Sequence, residues 1–172
     1  MSGPQSRRWK AVVFDLDGTL ADTLRDLAEA TNAALRENSL PPHPVEAYRQ
    51  MVGNGLRKLV ERAAGPDASP EIRERVRQAF LRVYDRDCLI HTRPYAGMPG
   101  TLAALREEGT ALLVVTNKPD AQARTIVETL FGRDLFAGIY GNREGRKTKP
   151  DPALTLAALG AAGAAPADAL FI

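Results

Sequence analysis

Two carboxylates two residues apart, Asp15 and Asp17, lie in the string Asp15-Leu16-Asp17-Gly18-Thr19. Neighbouring carboxylates repel, so such a pair calls for a cation between them or a proton on one of them. Mg²⁺ suits the pair, as a hard cation that takes oxygen ligands together with phosphate. Gly18 permits a sharp turn, and Thr19 offers a hydroxyl to a phosphate or to an acid. Further along, Thr116-Asn117-Lys118 brings a hydroxyl and an amide, and Pro119 opens a helix whose first amides favour an anion. Lys149, beside Pro150 and just ahead of another helix, can supply positive charge, with Lys147 a nearby competitor. Taken singly, Thr116 and Asn117 read equally as a helix cap, and Lys149 as a surface lysine. Taken together, a nucleophilic carboxylate, a second carboxylate, a hydroxyl or amide and a lysine suit phosphoryl transfer through an aspartyl-phosphate. In that scheme Asp15 attacks phosphorus, and Asp17 protonates the leaving oxygen and then activates water. Mg²⁺ held by Asp15 and Asp17, together with Lys149, offsets charge on the equatorial oxygens, which Thr19, Thr116 and Asn117 also bind.

These residues need elements to bring them together. The run Ala11-Val12-Val13-Phe14 stops abruptly at Asp15, as a strand buried on both faces would. Residues 111–115 repeat the pattern and end at Thr116; 138–140 and 169–172 are two further cases. Helical periodicity fills the gaps. Leu24, Leu27, Ala28, Thr31, Ala34 and Leu35 share a face, with Asp22 placed to cap it. Leu56, Leu59, Val60 and Ala63 form a shorter stripe, and Ile72, Val76, Ala79, Phe80, Val83 and Tyr84 a longer one opened by Pro70. Later helices follow Pro99 and Pro119, and a last one over 152–159 is closed by Gly160. From about Arg93 onward helix and strand alternate, which predicts right-handed crossovers and a parallel α/β sheet. The expected division is a core of residues 9–20 and 94–172, with residues 21–93 inserted as a helical cap. Residues 1–8 read as a disordered start.

The composition sets limits. The chain has 172 residues, 44% hydrophobic and 26% charged, enough for a sizeable core without staples. The net charge of +2 does not mark a nucleic-acid binder: without Arg7, Arg8 and Lys10 the balance is 20 basic to 21 acidic residues. No apolar run approaches the ~18 residues of a spanning helix, so no membrane partner is expected. A single cysteine, Cys88, excludes an internal disulfide and points to a reducing compartment, the cytoplasm. His43, His91 and Cys88 are scattered without metal spacing and read as structural.

With these motifs the chain resembles the haloacid dehalogenase superfamily of phosphatases, from about Lys10 to the end. Asp15 to Thr19 match that family's first motif, Thr116 and Asn117 its second, and Lys149 with Pro150 its third. The helical insertion falls where members with a small helical cap carry theirs. Finer matches are to phosphoglycolate phosphatases: Leu40-Pro41-Pro42, Val52-Gly53-Asn54-Gly55-Leu56-Arg57, Arg93-Pro94-Tyr95-Ala96-Gly97 and Val115-Thr116-Asn117-Lys118-Pro119. The resemblance implies a Rossmann-like parallel sheet, Mg²⁺, and a small phosphorylated metabolite as substrate, foremost 2-phosphoglycolate. Asp17 argues against the dehalogenases proper, which lack the second acid. Arg57, just beyond the Gly53-Asn54-Gly55 loop, reads either as a ligand for a substrate carboxylate or as an ordinary surface arginine.

One departure carries weight. The family's fourth motif, an acidic loop after an apolar strand, has no counterpart after residues 169–172. The resemblance therefore implies a truncated chain with weakened Mg²⁺ binding, weak or absent activity, and an exposed edge at its fourth strand. Asp168 precedes that strand and belongs at the opposite edge of the sheet; Asp151 is a lesser candidate for the missing acid. Alternatives within the superfamily are a phosphatase or mutase for another small metabolite, such as a sugar phosphate or pyrophosphate, and a non-catalytic phosphate-binding fragment. A signalling receiver domain also combines acids, a hydroxyl and a lysine. It would end a later strand on its phosphate-accepting Asp, where this chain has Thr116.

Overall fold

A computed structural model describes residues 9–172. The expected disorder of residues 1–8, and with it Arg7 and Arg8, lies outside the described residues. In chain order the elements are β1 (Ala11–Phe14), β2 (Ala21–Asp22), α1 (Leu24–Glu37), a 3₁₀ turn (Val45–Gln50), α2 (Leu56–Ala64), α3 (Pro70–Asp87), β3 (Arg93–Pro94), α4 (Met98–Glu107), β4 (Ala111–Pro119), α5 (Asp120–Phe131), β5 (Gly138–Asn142), α6 (Ala153–Ala161), a 3₁₀ turn (Pro166–Asp168) and β6 (Ala169–Phe171).

Four strands form a parallel sheet in the order β5-β4-β1-β6. Val12 stands beside Leu112 on one side and Leu170 on the other. Alternate residues feed opposite layers, because successive strand side chains point to opposite faces. Val12, Phe14, Leu112 and Val114 join the larger core, which also holds Leu102 of α4 and Ile126 and Val127 of α5. Ala11, Val13, Leu113 and Val115 pack with Ala158 and Leu159 of α6. Covering both faces is what makes β1 an unbroken buried run and places its carboxyl end, Asp15, at the mouth of the sheet. At the edge, Leu170, Phe171 and Ile172 are exposed.

Sequence and structure part at several boundaries. Strand β4 does not end at Thr116 but runs to Pro119, with an irregularity against β5 between Val115 and Pro119. Helix α6 passes through Gly160 and turns only at Gly163, whose φ of +67° needs a glycine. Asp22 lies in β2, so Thr23 takes the N-cap position of α1, although Asp22 Oδ1 still accepts the Leu24 amide at 3.3 Å. The helical segment is also not strand-free: β2 and β3 pair antiparallel, Ala21 with Pro94 and Asp22 with Arg93, where the chain leaves and re-enters the core. Beside that ribbon, the buried Asp26 accepts the amides of His91 and Thr92 and the Thr92 hydroxyl. No helix among the described residues is long and apolar enough to cross a membrane.

Candidate active site

Directly after β1 the chain folds back on itself. The carbonyl of Leu16 accepts the amides of Thr19, Leu20 and Ala21, while Gly18, at φ +81°, donates to the Ala21 carbonyl. The turn leaves both acids at the sheet mouth. Asp15 Oδ1 accepts the Leu16 amide at 2.7 Å, and its Oδ2 lies 2.9 Å from Lys149 Nζ. Lys149 Nζ also donates to the Val115 carbonyl at 2.9 Å and sits 5.2 Å from the Phe171 ring centroid. The loop between β5 and α6 thus delivers a cation onto the first carboxylate.

Asp17 has a second cation. Its Oδ1 accepts the Thr23 hydroxyl at 2.6 Å and pairs with Lys118 Nζ at 2.8 Å. The Lys118 side chain is 1% exposed. Burial, the largest single influence, works against its charge, but Asp17 and Tyr84 together outweigh it and hold the ammonium above the ordinary lysine range. Lys118 Nζ also lies 4.7 Å from the Tyr84 ring centroid, a cation–π contact away from water. Burial pushes the Tyr84 phenol up, and its buried hydroxyl has no hydrogen-bond partner among the described residues.

Above the acids, the helical segment forms one wall of a cleft. It is lined by Asp15, Asp17, Thr116, Asn117, Lys118 and Pro119 from the core, and by Leu27, Val52, Gly53, Gly55, Leu56, Leu59, Phe80 and Tyr84 from the helical segment. The core supplies its charged groups and the helical segment most of its apolar ones. An adjoining, more open hollow is lined by Lys149, Pro150, Asp151 and Phe171, and shares Gly53 and Asn117 with the cleft.

Of the residues anticipated from sequence, Asp15, Asp17, Thr116 and Asn117 meet in this cleft, and Lys149 reaches Asp15 from its edge. Thr116 Oγ1 accepts the Lys118 amide at 3.3 Å. Thr19 and Arg57 are not brought there: Thr19 lies in the turn and Arg57 is exposed on α2, and neither lines either hollow. Lys147 is no rival to Lys149, since it is 82% exposed and pairs with Asp151 at 3.4 Å. Asp151 Oδ1 accepts the Ala153 amide at the start of α6, so that acid serves the helix. Asp168 pairs with Lys10 at the far end of β1, as its position before β6 implied. His43 bonds the Ala63 carbonyl, and Cys88 is buried and unpaired.

The model of the haloacid dehalogenase-like hydrolases matches residues 12–172. The chain belongs to that family. Within it, the chain is 39% identical over 166 residues to an N-acetylmuramic acid 6-phosphate phosphatase of Pseudomonas aeruginosa, covering 96% of this chain and 73% of the relative. It is 36% identical over 167 residues to phosphoglycolate phosphatase 1 of the same organism, covering 95% of this chain but only 61% of that protein. The chain therefore spans about three fifths of the length of that second relative. Among solved structures it is similar to one from Haemophilus somnus described as "a predicted phosphoglycolate phosphatase". The TM-score is 0.86 at 30% identity, covering 98% of this chain and 77% of that one.

For a haloacid dehalogenase-like hydrolase, sequence reasoning missed three contributors. Lys118 was passed over because the apolar run before it ends at Val115, although a lysine so close behind a buried strand is itself a signal. Tyr84 was read as part of the α3 core stripe, which it also is. Thr23, the hydroxyl partner of Asp17, carried no signal, because its contact depends on the turn over 16–21.

Proposed function

We propose that this haloacid dehalogenase-like chain is a phosphate monoester hydrolase that works through an aspartyl-phosphate on Asp15. The observation that carries the reading is the ion pair between Asp15 Oδ2 and Lys149 Nζ at 2.9 Å, beside the second acid Asp17. An Asp15 oxygen attacks phosphorus while the bond from phosphorus to the ester oxygen breaks, and Asp17 gives that oxygen its proton. Water, deprotonated by Asp17, then attacks phosphorus, breaking the bond to Asp15; this releases inorganic phosphate, restores the Asp15 carboxylate and returns a proton to Asp17 for the next cycle. Lys149 and the Thr116 hydroxyl offset the charge on the transferring group. Val52, Leu56, Leu59 and Phe80 give the cleft an apolar side beside the charged groups.

Mg²⁺ fits the donors present. Asp15 and Asp17 offer hard oxygens at one strand mouth, and Mg²⁺ characteristically takes one or two carboxylates plus substrate phosphate and waters. When bound, it would neutralise charge on the phosphoryl oxygens. Among the described residues no third acid, histidine or cysteine joins the two to make a metal-binding group, so we expect weak Mg²⁺ affinity and slow turnover from this chain.

The leading substrate is 2-phosphoglycolate, supported by the relatives that carry that activity in their names. A second reading, an amino-sugar 6-phosphate, is supported by the name of the relative at 39% identity. Arg57 retains a role only toward a substrate that extends beyond the cleft. With Cys88 unpaired, a reducing compartment, the cytoplasm, suits the chain. The test is phosphate release from both esters with excess Mg²⁺. Slow release from 2-phosphoglycolate, abolished by Asp15→Asn, supports the reading; release unaffected by Asp15→Asn sinks it.

A further inference from the structure

The side-chain amide of Asn117 ties two stretches of main chain together through three hydrogen bonds. Its Oδ1 accepts the Lys149 amide at 2.7 Å, and its Nδ2 donates to the Lys149 carbonyl at 3.2 Å. One residue is thereby gripped at both of its main-chain polar groups. The same Nδ2 donates to the Gly53 carbonyl at 2.9 Å, which belongs to the loop just ahead of α2 in the helical segment. With donor and acceptor both committed, and the residue 7% exposed, the Asn117 amide is not free to grip a phosphate.

The loop arrives at Asn117 already braced. Arg62 of α2 donates to the Met51 carbonyl through Nη1 and to Asn54 Oδ1 through Nη2, each at 2.8 Å. Close approach is built in at Gly55, whose φ is +85° and where a Cβ would stand 3.4 Å from the Asn117 carbonyl oxygen. On the other side of the amide, the gripped Lys149 sends its Nζ to the Val115 carbonyl and to Asp15.

We propose that Asn117 is a positioning residue that couples the seating of the 51–55 loop to the placement of Lys149. With the loop seated, the Gly53 carbonyl holds the amide in the orientation that grips Lys149. With the loop lifted, Nδ2 loses that acceptor and the grip loosens. Only the catalytic meaning of this coupling rests on the phosphatase reading; the coupling itself is a property of the folded chain.

Amide hydrogen exchange on the whole chain tests it, with no need for turnover. The reporters are the Lys149 amide, bonded to Asn117, and the Val52 and Leu59 amides, bonded to Tyr48 and Gly55. Asn117→Asp keeps an acceptor for Lys149 but has no donor for Gly53. It should speed exchange at Val52 and Leu59 and leave Lys149 the less affected. Asn117→Ala should speed all three roughly fivefold to tenfold, the factor that one ordinary hydrogen bond carries. Arg62→Met makes the deciding variant, because Arg62 touches the loop and not the Lys149 segment. Coupling requires Lys149 exchange to rise severalfold along with that of the loop. A loosened loop with Lys149 protection unchanged in Arg62→Met overturns the proposal, as does an unchanged Lys149 amide in Asn117→Ala. Phosphate release measured in parallel separates the two ideas, since a chain without activity can still show the coupled exchange.

Discussion

Lys118 Nζ lies 2.8 Å from Asp17 Oδ1, and the lysine side chain is 1% exposed. A cation with almost no access to water is tolerable only because an acid neutralises it, so the two residues depend on each other. Removing one partner leaves an uncompensated buried charge. Lys118→Met is expected to lower unfolding free energy by about 3–5 kcal/mol, with part regained in Asp17→Asn/Lys118→Met. Urea denaturation of the single and double variants measures this. A single variant as stable as the parent would contradict it.

Asp26 ties the far end of the helical segment to its beginning. Its carboxylate satisfies the His91 and Thr92 amides and the Thr92 hydroxyl, with bonds of 2.8 to 3.0 Å. Asp26→Ala strands these donors in a buried place. The expected loss is about 2 kcal/mol or more, since each unsatisfied buried group costs roughly 1–3 kcal/mol. Thermal unfolding reads the loss. Asp26→Asn, which keeps an acceptor oxygen, should lose less.

Asp120 gives the acid limb of stability. Burial raises its pKa, but Arg124, the Gly141 amide and Arg143 together hold it below the ordinary 3.8. The unfolded chain therefore binds this proton at a higher pH than the folded one. Its contribution is complete above about 3.8 and fades as pH falls through the lower folded value. The stability gap between parent and Asp120→Asn should stay level from pH 7 to 5 and shrink below 4, as read by urea midpoints. A gap that persists undiminished into strong acid would count against this assignment.

The apolar wall should set leaving-group size. Leu56 lines the cleft and is only partly buried, so Leu56→Ala widens it at modest cost in stability. The ratio of kcat/KM for an amino-sugar 6-phosphate over 2-phosphoglycolate should rise about tenfold, within the 1–3 kcal/mol that a change in apolar pocket shape carries. An unchanged ratio would remove this wall from the specificity account.

How much was legible follows from how local each signal is. The buried run of β1 and the acids after it are adjacent in sequence, so strand, turn and Asp15–Asp17 could be read together. Lys149 was legible because a lysine beside a proline ahead of a helix is a local pattern. Its target was legible only through the sheet, since Asp15 stands 134 positions away. Asn117 was visible as a residue but not in its role, because its two partners, Gly53 and Lys149, come from separate loops. Lys118 was lost to a boundary: hydrophobicity ends at Val115, while strand pairing continues to Pro119. The β2–β3 ribbon, two residues on each side, is too short for any periodicity to reveal.

Asp15 is the proposed acceptor of the phosphoryl group. Beryllofluoride attaches to a carboxylate oxygen much as a phosphoryl group does, and its capture needs no turnover. With magnesium in large excess, ¹⁹F NMR of the chain should show bound fluoride resonances. They should remain in Asp17→Asn and vanish in Asp15→Asn. Resonances that survive in Asp15→Asn, or none in the parent chain, would contradict the account.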